Sequence, residues 1–352
     1  MWIPTIQYAA TTDGGAVAFH VIGMGPPVIM LFPYHVNHLT LNWQVPLHRG
    51  AFEYFARSFT VINLDFRGAG ISGPYLSSLS LDMFLDDIQA VLSFLNLDRV
   101  GVCAMGDAAL IACQFALRSP DRISNMVFIA AGESGANHRV LSLRHEHPQL
   151  EAKMRGAIIG GLVDGENSSA LSAVAQAALT SEMLGHWEHL LAENSLSSIV
   201  AQVEVDTLCL QAADDELINS DVIRSLVNVM PRATLRMVPG RSAMDVWRDR
   251  SAVQAIRQFL SVGLGVVPGA KMPSQRRSRS AASYPGGLSE REVEVIRLLA
   301  AGRTNQQIAE DLFVSLNTIA YHLRNIFNKT GSSNRTEAAL FAHRHGMSAH
   351  LE

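Results

Sequence analysis

The sequence predicts an α/β protein followed by a small all-α domain, and three observations carry that reading. The first ~260 residues alternate short, continuously apolar runs with longer amphipathic helical patterns, the signature of strands and helices in turn. A Gly/Pro/Ser-rich stretch at 263–287 interrupts the rhythm. From Leu288 onward every signal is helical. With 352 residues, 48% hydrophobic and 17% charged, the chain is long enough for two domains and a large core, which excludes disordered and collagen-like classes.

Taken in order, Asp13-Gly14-Gly15 between two β-like runs predicts a hairpin turn. Val28–Phe32, Val61–Leu64, Val100–Ala104, Met126–Ala130 and Thr207–Gln211 are predicted strands; their unbroken apolarity fits a parallel sheet covered on both faces. Leu81–Leu95 is a predicted helix with Met83, Phe84, Ile88, Val91 and Leu95 on one face. Residues ~134–200 are Ala- and Leu-rich with few strand signals, so a helical insertion over one end of the sheet is expected. In the last domain, Ser289-x-x-Glu292 and Thr304-x-x-Gln307 have capping-box form. Ser315 precedes a third helix, Gly302 and Gly331 are stops, and Ser333 or Asn334 starts a fourth helix.

The net charge of −4 hides an asymmetry. Residues 1–262 hold 17 Lys+Arg against 25 Asp+Glu, while 263–352 hold 11 against 7. The excess lies in 263–287, where Lys271, Arg276, Arg277 and Arg279 face no acid; this reads as a flexible linker whose charge can also rest on phosphates. No apolar run approaches the ~18 residues of a membrane span, and the first residues lack a basic segment followed by an apolar one. Cys103, Cys113 and Cys209 are too few and too scattered for a disulfide framework or a zinc site. A cytoplasmic location with no membrane, metal or cofactor is the expectation.

The third C-terminal helix is informative. Ile319, Leu323, Ile326 and Phe327 share one face, and Asn317, Ala320, Tyr321, Arg324 and Asn328 the opposite one. The preceding helix, about 305–312, is joined to it by the short turn 313–315, as in a helix-turn-helix. The segment from Leu288 to Ala342 resembles the LuxR-type DNA-binding domain in its opening Leu288 to Glu292, Ala301-Gly302, Asn305 to Ala309, Ser315 to His322, Ile326-Phe327-x-Lys329 and Arg335 to Ala338. The resemblance implies a recognition helix in the major groove of double-stranded DNA, a homodimer on an inverted repeat, and a fourth helix supporting the dimer. It places Ala320, Tyr321 and Arg324 against base edges. Asn305, Thr318, His322, Asn325 and Lys329 would hold phosphates, with Ser315 and Asn317 beside them. Arg324 offers the fork suited to guanine. The family usually has Lys where Ala320 stands, so one cationic contact is lost here.

In the first domain, Asp65-x-Arg67-Gly68-x-Gly70-x-Ser72, Ala116 to Ile123, Leu208-x-Leu-x-x-x-Asp214-Asp215 and Arg236 to Gly240 resemble the α/β-hydrolase fold over about residues 5–262. That fold implies a helical cap at about 134–200, hence domains at 1–262 and 288–352 joined by the linker 263–287. An enzyme of this fold needs a nucleophile on the strand-to-helix turn, a His and an acid. Here the turn reads Ala104-Met105-Gly106-Asp107-Ala108, with Gly106 at the nucleophile position; Ala243 stands at the His position, and only Asp215 remains. The oxyanion-hole strand end is Phe32-Pro33, and proline lacks an N–H. The expectation is therefore not an enzyme but a pseudo-hydrolase with a small-molecule pocket formed by Phe32, Tyr34, His35, Met105, Gly106, Asp107, Asp215, Ala243, Met244 and Trp247. The combined reading is a ligand-responsive transcription regulator recognising a small, mostly apolar molecule. Two alternatives stay open: a hydrolase with residual catalysis, using Asp107 by a one-residue slip or His35 and His38, and a scaffold whose pocket is filled by its own side chains.

Overall fold

The computed structural model describes residues 3–72, 76–132, 150, 153–154, 156–157, 165–215, 218–265, 284–288, 290–311, 319, 323, 326–327, 329–332, 334–345 and 347. Contacts divide the chain into two units, Ile3–Met272 and a second of Pro273–Glu352 together with Met1–Trp2.

The first unit is built on eight strands: β1 (Gln7–Ala10), β2 (Ala16–Ile22), β3 (Pro27–Leu31), β4 (Thr60–Asp65), β5 (Val100–Met105), β6 (Ile123–Ile129), β7 (Thr207–Ala212) and β8 (Ala233–Val238). Their order is β1-β2-β4-β3-β5-β6-β7-β8. The β1–β2 hairpin is antiparallel and β2 runs antiparallel to β4; every other pairing is parallel. The five apolar runs are β3 to β7, and Gly14 at φ 87° turns the hairpin. No apolar run marks β8: it is the sheet edge, its residues are mostly half-exposed, and selection for unbroken apolarity is absent there.

The helices of this unit are α1 (Pro46–Phe55), α2 (Leu81–Phe94), α3 (Ala108–Arg118), α4 (Gly165–Ala178), α5 (Ser181–Glu193), α6 (Ser220–Val229), α7 (Ala243–Arg248) and α8 (Arg250–Gly263). Alternate residues of the central strands enter opposite cores. Ile29, Leu31, Ile62 and Leu64 pack with Phe84 and Ile88 of α2 and Ile111 and Phe115 of α3. Val28, Met30, Val61 and Cys103 pack with Phe52 and Phe55 of α1, Trp247 of α7 and Leu260 of α8. The α2 start is set by Ser80, whose hydroxyl accepts the Met83 N–H at 3.2 Å. Its inward face is Phe84, Leu85, Ile88, Val91 and Leu92, with Met83 and Leu95 half-buried beside it. The cap helices α4 and α5 fall inside the helical insertion expected between β6 and β7; most of 133–164 lies outside the described residues.

The run from Asp65 to Ser72 works as a structural knot. The Asp65 carboxylate, fully buried, accepts from Asn37 Nδ2 (2.9 Å), Leu39 N (3.1 Å) and Ile71 N (3.0 Å), while burial pushes its pKa up to about 7. Gly70 at φ 51° is obligatory, because a Cβ there would lie 2.0 Å from Asp65 Oδ2. Ser72 Oγ accepts the Ala18 N–H at 2.7 Å and donates to the Asp65 carbonyl, tying the hairpin to β4. Arg67 bridges buried Asp87 and the hairpin-turn residue Asp13. The guanidinium holds the Asp13 carboxyl far below its ordinary range.

The second unit contains α9 (Glu290–Ala300), α10 (Asn305–Asp311) and α11 (Arg335–Arg344), with residues 319, 323, 326–327 and 329–330 also helical. Ile319, Leu323 and Ile326 are buried with Val293, Ile296, Leu299, Ile308, Ala338 and Ala342, so the apolar face of the third helix is the predicted one. Thr304 and Gln307 form the reciprocal capping box, Oγ1 accepting from Gln307 N at 3.2 Å and Thr304 N donating to Oε1 at 2.9 Å. Of the two candidates for the fourth start, Asn334 is the cap, accepting from Glu337 N at 3.0 Å. Gly302 (φ 83°) and Gly331 (φ 68°) occupy left-handed stops. Ser289 lies outside the described residues.

Candidate functional site

In the first unit the site is the edge of the sheet where the parallel strands end. Between β5 and α3 the chain turns at Gly106, with φ 55°; Asp107 is already helical at φ −72°. The left-handed elbow residue is therefore Gly106, and the one-residue slip that would put Asp107 there does not occur. Gly106 N–H bonds Ile129 O at 3.0 Å, locking the elbow to β6. Among the described residues, a Cβ built on Gly106 meets only Pro33 Cγ, at 3.3 Å, a close approach from a side chain and not from backbone.

Around the elbow stand Tyr34, His35, Asp107 and the cap residue Trp187. The Trp187 indole N–H donates to Asp107 Oδ2 at 3.1 Å, and His35 Nδ1 lies 3.4 Å from the same oxygen. Tyr34 is 1% exposed, with its ring 5.3 Å from that of Trp187 and 5.1 Å from that of Phe84; its hydroxyl donates to the Arg67 carbonyl at 2.9 Å. Burial raises the pKa of the Tyr34 phenol, which stays neutral. The backbone N–H groups of Tyr34 and Asp107 find no acceptor among the described residues. Two unengaged amides at the elbow can receive a carbonyl oxygen.

The loops after β7 and β8 close the same edge, Asp214 N donating to Gly240 O at 3.0 Å. Asp215 Oδ1 accepts the Ile218 N–H at 3.0 Å, and Ala243 begins α7 behind its capping residue Ser242. No imidazole stands at position 243 for Asp215 to orient. His38 lies in the loop after Tyr34, its Nδ1 3.3 Å from the Thr40 N–H, and burial lowers its pKa.

The expected pocket residues thus divide. Tyr34, His35, Gly106 and Asp107 gather at the elbow, with Asp215 in the loop after β7 and Ala243 at the start of α7 on the same edge. Phe32, Met105, Met244 and Trp247 instead belong to the core layer with Phe52 and Phe55. Phe32 stacks 4.8 Å from His48, and Trp247 lies 6.0 Å from Phe55. Strand parity decides this: Met105 follows Cys103 on the α1 side of the sheet. Trp187 was not among the expected residues; a lone tryptophan in an Ala/Leu-rich helical stretch was the only signal.

In the second unit, Ser315, Asn317, Thr318, Ala320, Tyr321, His322, Arg324 and Asn325 lie outside the described residues. Asn305 is exposed and its Oδ1 accepts from Arg335 Nη1 at 3.0 Å; a second Arg335 nitrogen donates to the Arg303 carbonyl. Lys329, expected to hold phosphate, is ion-paired within the unit while its side chain stays 40% exposed. Its Nζ lies 2.6 Å from Oε2 of Glu292, which is 4% exposed, so the cation compensates a buried carboxylate within the unit. Among the described residues, no helix is long and apolar enough to cross a membrane, and no group of three His, Cys, Asp or Glu could hold a metal.

Comparison with known proteins agrees with this division. Residues 287–342 match the model for bacterial regulatory proteins of the luxR family, and residues 42–158 match the alpha/beta hydrolase fold. The chain is 39% identical over 81 residues to the transcriptional regulatory protein LiaR of Bacillus subtilis, covering 23% of this chain and 38% of that one. It is 28% identical over 129 residues to the uncharacterized protein Rv2715 of Mycobacterium tuberculosis, 37% of this chain and 36% of the other. The chain thus spans little more than a third of the length of these relatives. Among solved structures, the esterase RhEst1 from Rhodococcus sp. superposes with TM-score 0.63 at 17% identity over 73% of this chain and 98% of the esterase, which shows the fold alone. The chain combines an α/β-hydrolase-fold domain with a C-terminal luxR-family helix-turn-helix domain.

Proposed function

We propose that this chain is a DNA-binding transcription regulator whose hydrolase-fold domain senses a small, mostly apolar molecule without hydrolysing it. The observation that carries the reading is the elbow: a left-handed turn, kept in a complete hydrolase frame, yet occupied by Gly106. Glycine supplies no attacking atom, and Ala243 supplies no base. The fusion of that frame to a luxR-family domain supports a sensor, in which a ligand favouring one state of the protein shifts DNA affinity by its difference in binding energy. The protein acts in the cytoplasm as a homodimer on an inverted repeat, because one short recognition helix reads too few bases. Arg324, Tyr321 and Ala320 face base edges; Asn305, Thr318, His322 and Asn325 hold the backbone; the basic linker adds contacts without sequence preference.

The test of the first half is a thermal melt of the full chain against apolar acids, esters and lactones, each mixture then checked by mass spectrometry. A rise in melting temperature with the compound intact is expected. Product formed faster than in buffer would overturn the reading in favour of a second one, residual hydrolysis. The 3.4 Å approach of His35 to Asp107 is the observation that favours that alternative. For the DNA half, Arg324→Ala is expected to relax base preference in a selection from random duplexes. Equal losses on every sequence would remove Arg324 from base reading.

A further inference from the structure

Asp107 occupies the start of α3, where an aspartate ordinarily turns back to accept its own helix's N–H groups. It makes no such cap here. Its Oδ2 instead meets the Trp187 indole N–H and the His35 ring, one from the cap and one from the loop after β3. Among the described residues the other oxygen, Oδ1, has no hydrogen-bond partner, although Asp107 is only 5% exposed. Buried carboxylate oxygens are seldom left unmatched. Asp107 directly follows Gly106 in the chain, so this carboxylate belongs to the elbow, as do the unengaged N–H groups of Tyr34 and Asp107.

We propose that Asp107 is a specificity-determining residue whose Oδ1 accepts the N–H or O–H of a neutral ligand held over Gly106. The hydrolase-fold domain then selects acyl compounds that carry such a donor beside the carbonyl, secondary amides or hydroxyacyl compounds, over those that lack it. The inference rests on the sensor reading above. The complementarity is specific: two backbone donors for the carbonyl oxygen and one fixed acceptor for the adjacent hydrogen. The Trp187 N–H holds one lobe of the carboxylate at 3.1 Å, which preorganises the other. A ligand without the donor leaves Oδ1 buried and unmatched, which is how a built polar site rejects an isostere.

The experiment titrates the full chain with matched probes: the N-methyl and N,N-dimethyl amides of hexanoic, octanoic and decanoic acids, read by tryptophan fluorescence and by melting temperature. The N-methyl amide is expected to bind at least tenfold more tightly than its dimethyl partner. Asp107→Leu should erase that preference, whereas Asp107→Asn, which keeps an acceptor oxygen, should retain part of it. Equal binding of the pair to the wild type overturns the inference, and needs no variant to fold. A preference that survives in a folded Asp107→Leu overturns it as well, as does octylamine binding more tightly than either amide. The two readings fail differently. Stabilisation by intact esters or lactones together with equal binding of the amides sinks Asp107 alone; stabilisation by none of these compounds sinks the sensor with it.

Discussion

His48 lies on α1, 2% exposed, with neither ring nitrogen bonded to any group, and its ring centroid is 4.8 Å from that of Phe32. Burial lowers its pKa from 6.5 to about 3, so the folded chain carries it neutral. Above pH 6.5 the imidazole is neutral in both folded and unfolded chains, and no penalty exists. As pH falls through 6.5 the unfolded chain takes a proton that the folded one refuses, and stability is lost until pH reaches the native pKa. One pH unit below 6.5 the loss is about 1.4 kcal/mol, whatever the native pKa, provided it lies well under 5.5. His48→Leu removes this term. It also removes two unmatched buried nitrogens, so the variant is expected to equal or exceed the wild type at pH 7.5. Other titrating groups are common to both proteins and cancel. These include His20, lowered to about 4 by burial, and Asp65 and Asp87, which burial pushes up to about 7 and 6 and which act in the opposite sense. The measurement is urea unfolding of both full chains at pH 7.5 and 5.5, followed by tryptophan fluorescence. The three described tryptophans, Trp43, Trp187 and Trp247, all lie in the unit Ile3–Met272, so the signal reports chiefly on the unit that holds His48. The wild type should lose about 1.4 kcal/mol more than the variant between the two pH values, roughly 3–6 °C if read as melting temperature. Equal losses would refute the reasoning and mean that His48 is protonated, or already partnered, in the folded state.

Three other outcomes are expected. Arg67→Met leaves Asp87 buried without its counter-charge and should cost about 3–5 kcal/mol in the same unfolding assay; a cost near zero would deny that the pair is compensated by Arg67. Gly106→Ser should cost about 1–2 kcal/mol for a left-handed non-glycine residue, plus a small shift of Pro33, whose Cγ would lie 3.3 Å from the new Cβ. Gly23→Ala puts a Cβ 2.4 Å from the Ala56 and Phe59 carbonyl oxygens and should cost clearly more, and comparable losses would contradict the looser packing at the elbow. Lys329→Met should destabilise the helix-turn-helix unit by about 1–3 kcal/mol, followed by far-UV circular dichroism, and adding Glu292→Leu should recover most of it. No recovery would return Lys329 to a role outside the unit.

Much of the architecture is written locally. Val28 to Leu31, Val100 to Ala104 and Thr207 to Gln211 read as buried strands because both sheet faces are covered, which keeps their interiors apolar. Thr304 with Gln307, and Asn334, mark helix starts because a cap is a contact within three residues. Gly106 was legible as the elbow once the resemblance to the hydrolase fold pointed to the turn between a strand and the helix that follows it. What needed the tertiary structure were contacts between residues far apart in the chain. Trp187 reaches Asp107 across 80 positions, and Lys329 reaches Glu292 across 37. No local pattern encodes either, because an indole on a helix or a lysine near a helix end looks the same whether it meets water or a buried carboxylate. The same holds for Met105, Met244 and Trp247: the sequence by itself makes them apolar, and which side of the sheet they pack on was decided by strand parity and by where α1, α7 and α8 come to rest.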